Sequence, residues 1–88
     1  MNRNEAKHNI VLTGRSSISV DGVTEVISYD ENNIVMETNM GQLTLDGTAL
    51  NIVKLNLEEG EVAVDGKIDA LYYIEQSTGR SLFSRLFG

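Results

Sequence analysis

Carboxylates are the most numerous side chains in this sequence that could do chemistry, and three of them recur in one local pattern. Asp21, Asp46 and Asp65 each follow an aliphatic residue and precede a glycine, in Val20–Asp21–Gly22, Leu45–Asp46–Gly47 and Val64–Asp65–Gly66. A general acid–base pair needs two carboxyl groups held in unlike environments, and a calcium loop needs several oxygen ligands within one short stretch. An isolated Asp-Gly supplies neither. It supplies a turn: the aspartate accepts hydrogen bonds from its own backbone, and both residues tolerate positive φ. Asp21, Gly22, Asp46, Gly47, Asp65 and Gly66 are therefore read as structural.

The remaining candidates are no stronger. His8 is the only histidine, and the chain has no cysteine, so there is no second imidazole or thiolate to share a metal. No Gly-x-Ser-x-Gly elbow occurs. Gly14–Arg15–Ser16–Ser17 lacks the Lys–Ser/Thr ending of a phosphate loop and reads as a tight turn with an exposed arginine. The residues give no catalytic group, no cofactor site and no metal site. The expectation is a protein that is not an enzyme.

Charge narrows the partners. The chain carries a net −6 at neutral pH. Residues 1–75 hold all 13 acidic residues, whereas residues 76–88 hold Arg80 and Arg85 and no acid. An acidic body repels phosphate backbones, which argues against nucleic acid as a partner. The N-terminal MNRNEAKHN has no hydrophobic signal core, and no apolar run approaches the ~20 residues of a membrane span. A cytoplasmic location is expected.

The elements that would position these residues are strands. Alternation dominates from Asn9–Thr13 and Ser17–Val20 through Val23–Tyr29 and Ile34–Thr38 to Gln42–Leu45, Leu50–Leu57, Glu61–Val64 and Lys67–Glu75, with turns at Asp30–Asn33 and Glu58–Gly60. Val23, Ile27 and Tyr29 share one parity, with Val26 on the other. The apolar parity switches between Ile52 and Val53, which requires a bulge or bend. In the last strand Ile68, Ala70, Tyr72 and Ile74 share one parity and Leu71 and Tyr73 the other, so cover on both faces is expected, with one of Tyr72 and Tyr73 in the core. The cadence predicts an all-β single domain, an antiparallel β-sandwich or partly open barrel of about eight short strands. Residues 1–8 read as a flexible polar arm and 9–76 as the β-domain.

Residues 80–88 read as a short C-terminal amphipathic helix. Ser81 can cap it, and Leu82, Phe83, Leu86 and Phe87 then fall on one face with Arg85 off it. A helix this short needs a surface to lie on. That surface is the domain itself, a protein partner or second copy, or, weakly, an anionic membrane.

The order and spacing of these pieces resemble one family. Gly14–Arg15, Val23, Val26–Asp30, Thr38, Gly41–Gly47, Leu55, Glu59–Gly60, Gly66 and Leu71–Tyr73 match the pattern of the YabP family of endospore-forming bacteria, whose relatives include the YqfC sporulation proteins. The ending Phe83–Ser84–Arg85–Leu86–Phe87 favours YabP over YqfC. Tyr29 departs from the pattern, standing where a phenylalanine is expected, in a core role. The resemblance implies sporulation: a small assembly module in spore envelope (coat or cortex) formation, in the mother cell, at the forespore surface. Expected partners are other assembly proteins, or further copies in a homodimer or larger oligomer. It implies no catalytic residues. Two other readings stay open, a peripheral membrane protein at the forespore surface and a barrel that holds a small ligand.

Overall fold

Turn chemistry punctuates the chain as its sequence suggests. Asp30 Oδ1 accepts hydrogen bonds from the backbone N–H groups of Asn32 and Asn33, at 2.8 and 2.9 Å. This closes a hairpin in which Glu31 and Asn32 are the only loop residues. Gly14 and Arg15 both take φ near +56°, and Ser16 N–H donates to Thr13 O. Gly60, at φ +74°, ends the turn that starts at Leu57.

The computed structural model describes residues 7–74. Between these turns run β1 (Ile10–Thr13), β2 (Ser17–Val20), β3 (Val23–Asp30), β4 (Asn33–Thr38), β5 (Gly41–Asn56) and β6 (Glu61–Ile74). All pair antiparallel in one open six-stranded sheet, ordered β1-β2-β6-β5-β4-β3. No helix occurs among the described residues. The expected helical tail, 80–88, lies outside them, as does most of the expected N-terminal arm.

The all-β expectation holds, but about eight short strands become six because two expected pairs fuse. Asp46–Gly47 lies inside the 16-residue β5 and Asp65–Gly66 inside the 14-residue β6. These two Asp-Gly steps are bends within continuous strands rather than hairpin turns. The ladder slips at Asp46/Gly47 and Thr48/Asn51, with Ala49 at φ +55°, while Gly66 sits at φ +132°. The β5 backbone presses on that bend: a Cβ on Gly66 would lie 2.6 Å from Ala49 O. The sheet therefore turns a corner along both of its central strands.

The corner divides one sheet into two facing halves. In the first, β1, β2 and the N-terminal half of β6 run beside the C-terminal half of β5. In the second, the C-terminal half of β6 and the N-terminal half of β5 run beside β4 and β3. Ile18, Val20, Val62 and Val64 from the first half pack with Val23, Ile34, Met36, Leu43 and Leu45 from the second, and Leu50 and Ile68 join them next to the bends. Burying each such side chain is worth about 1.5–3 kcal/mol.

Bulges also correct two facial assignments. In β6 the ladder passes from Ile68 to Ala70 while β5 advances a single residue, from Gly47 back to Asp46. Ile68 therefore points inward with Leu71, and Ala70, Tyr72 and Ile74 point outward. Both tyrosines of the pair are half exposed, so neither is the expected core residue, and the strand is not covered on both faces. In β3 a register shift between Val26 and Ser28 sets Val26 against Met36 and Tyr29 against Ile34, on the inner side, leaving Ile27 as the extra residue. The expected break between Ile52 and Val53 is present, as a shift between Ile52 and Lys54.

Candidate interaction surface

The carboxylates singled out in the sequence are not brought together. Asp21, in the link between β2 and β3, accepts a 2.5 Å hydrogen bond at Oδ1 from Asn9 N–H. Asp46 lies on the outer face of β5 and accepts from Asn33 Nδ2 at 2.6 Å. Asp65 pairs across the ladder with Asn51. Among the described residues, no three His, Asp or Glu side chains are grouped so that they could hold a metal ion.

His8 acts as a clasp. Its Nδ1 lies 2.7 Å from the carbonyl oxygen of Asp21, which can only accept, so Nδ1 carries the proton. Nε2 then accepts from the Tyr73 hydroxyl at 2.5 Å, and the two rings meet edge-on with centroids 5.7 Å apart. Asn39 Nδ2 donates to Lys7 O at 2.8 Å. Lys7 and His8 thus lie across the end of the sheet where β6 finishes. Gly22 makes room for them: at φ +73°, a Cβ there would collide with Lys7 O.

The feature that sequence reasoning missed is a seam. β4 pairs with β5 only as far as Asp46, so beyond the corner the second half of β5 is a free edge. It faces β3, one of the two edge strands of the sheet. The two run antiparallel and meet at both ends, through Leu50 N–H to Glu31 O (2.8 Å) and Val23 N–H to Gly60 O (2.9 Å). Between those points no ladder forms. The Tyr29 hydroxyl alone crosses, accepting from Ile52 N–H at 3.3 Å and donating to Asn51 Oδ1 at 3.4 Å. Tyr29 is therefore a strut across the seam rather than a core residue.

The seam has an apolar lip. Val53, Leu55 and Leu57 on one side are 53%, 54% and 43% exposed, and Ile27 and Tyr29 on the other are each 48% exposed. Leu55 stands opposite Val62, on the core side of the sheet, but no strand among the described residues lies beyond it to cover it. Scattered exposed aliphatics are ordinary. Five along facing free edges form a patch of the kind that marks an interaction site. At one end the lip runs into a cleft of about 430 Å³, where Leu57, Glu58 and Glu59 face Thr24, Asp21 and Lys7. Lys54 is held by Glu61 at 2.6 Å, and in the cleft Asp21, Glu58, Glu59 and Glu61 outnumber the one cation, Lys7.

Spacing alone could not reveal the lip, because Leu50–Leu57 reads as core by alternation. With Gln42–Leu45 and Leu50–Leu57 read as separate strands, nothing in the sequence showed that the 6-residue β4 stops short of a 16-residue β5. The tail residues named from the sequence, Leu82, Phe83, Arg85, Leu86 and Phe87, lie outside the described residues.

Comparison with known proteins agrees with the resemblance. The model of the YabP family matches residues 4–80. The spore protein YabP of Bacillus subtilis (strain 168) is 32% identical over 84 residues, which cover 92% of this chain and 84% of that protein. The match spans every described strand, the seam and the clasp, and on that basis the chain belongs to the YabP family.

Proposed function

We propose that this protein is a non-enzymatic interaction module of spore envelope assembly, acting in the mother-cell cytoplasm at the forespore surface. The observation that carries the reading is the half-exposed apolar lip between β3 and the second half of β5. The name of its Bacillus subtilis relative, a spore protein, supplies the setting. An open edge offers unpaired backbone groups for strand addition, and its apolar side chains offer contact area. The apolar, basic tail is the second docking element, toward an assembly protein or another copy of the chain.

The test compares full-length protein with a Val53→Glu/Leu55→Glu variant and with a chain ending at residue 79. Sedimentation gives the mass in solution, and pull-down from sporulating cells gives the partners. The lip variant is expected to lose its partners while keeping its β-sheet circular dichroism. An unchanged assembly with unchanged partners in both variants would sink the reading.

A further inference from the structure

The lip lies within reach of the chain's own end, and its charge suits that end. The described chain stops at Ile74, which stands opposite Gln42; Gln42 is opposite Glu37, and Glu37 is opposite Glu25 on β3. That row crosses three strand spacings, about 14 Å at ~4.8 Å each. Leu82 lies eight Cα steps beyond Ile74, enough to span at most about 26–29 Å. Residues 76–88 carry Arg80 and Arg85 and no acid. The cleft at the end of the lip is lined by Asp21, Glu58, Glu59 and Glu61 against the one cation Lys7, while the nearby cation Lys54 is already paired with Glu61. Leu82, Phe83, Leu86 and Phe87 would meet Ile27, Val53, Leu55 and Leu57, apolar against apolar.

We propose that residues 80–88 of the same chain dock on the lip between β3 and the second half of β5, capping the interaction surface in the free protein. The inference rests on the lip being an interaction surface. Tethering favours the chain's own tail over another copy's: a short linker gives an effective concentration in the millimolar range, far above a micromolar protein solution.

Hydrogen exchange tests this directly. In full-length protein the backbone amides of 25–29 and 53–57 exchange slowly. In the chain ending at residue 79, and in full-length Phe83→Ser/Phe87→Ser, which retains the linker, they exchange at least 10-fold faster. A synthetic peptide of residues 80–88 added to the shortened chain restores protection, and an Arg80→Glu/Arg85→Glu peptide restores less. Equal exchange in all three proteins overturns the proposal. Protection that disappears on dilution, as the mass falls from dimer to monomer, also overturns it and assigns the lip to a second copy's tail. Failure here is separable from failure of the interaction reading. If Val53→Glu/Leu55→Glu loses its partners while tail removal leaves exchange unchanged, the surface stands and the capping falls.

Discussion

At the residue scale, side chains of this protein set backbone geometry and hold strands together. Gly66 is the clearest constraint. Its φ of +132° excludes side chains, and a Cβ would collide with Ala49 O at 2.6 Å, so Gly66→Ala is expected to cost about 2–3 kcal/mol. A lowered urea midpoint with an unchanged slope would show it. Protonation gives a second prediction. Partial burial of the ring, together with the neighbouring Asp46 carboxylate, penalises the phenolate and pushes the Tyr72 pKa above its ordinary value. Lys54 is also raised, chiefly by its hydrogen bond to Glu61. Both groups hold their proton more tightly folded than unfolded. Their contribution is therefore complete below about pH 10 and is lost as the pH rises through the folded values. Ultraviolet titration should find Tyr72 ionising later than a free tyrosine, with Asp46→Asn removing part of the delay. An Asp46→Asn curve superimposable on the parent would refute the assignment. Asp30 as a turn former was legible from Asp-Glu-Asn-Asn, because its hydrogen bonds are local. The facing of Ile68 was not, because one extra residue in β6 inverts parity without leaving a compositional mark.

At the scale of elements, β5 and β6 decide the architecture. Each is long enough to belong to both halves of the sheet, and the bends that let it do so fall at the Asp-Gly steps that resemble hairpin turns in sequence. The same dipeptide closes a hairpin when the flanking strands separate and bends a strand when they continue. Pairing partners far away in the chain make that choice. β3, like β1, has an outer edge that the fold leaves unpaired, and Tyr29 ties it across the seam between the two end contacts. Removing that hydroxyl with Tyr29→Phe, which restores the residue expected for the family, should cost about 0.5–1 kcal/mol, the lower part of the range for a hydrogen bond, because the site is exposed. Amide exchange at Ile52 should quicken at the same time. No change at Ile52 would mean that the strut is not formed in solution.

At the scale of the molecule, one bent sheet buries a core between its halves but does not close on itself. The contrast between core and lip can be measured with two leucines on the same strand. Leu45 is fully buried and Leu55 is 54% exposed. In the chain ending at residue 79, Leu45→Ala is expected to cost about 2–4 kcal/mol, and Leu55→Ser no more than about 0.5 kcal/mol, by urea titration. In the full-length chain the docked tail should raise the loss at Leu55→Ser, and an equal loss in the two chains would mean that the tail does not cover Leu55. The sequence by itself determined the all-β class, most strand positions, the Asp30 and Gly60 turns, the break after Ile52 and the family. Each of these depends on neighbours within a few residues or on the order of such motifs along the chain. Only the tertiary structure decided that two pairs of expected strands are two continuous ones, that Tyr29 spans a seam, and that Val53, Leu55 and Leu57 stand at an edge. Coverage is the physical reason: a leucine is core or surface according to whether another strand arrives beside it, and β4 ends before it can reach Leu55.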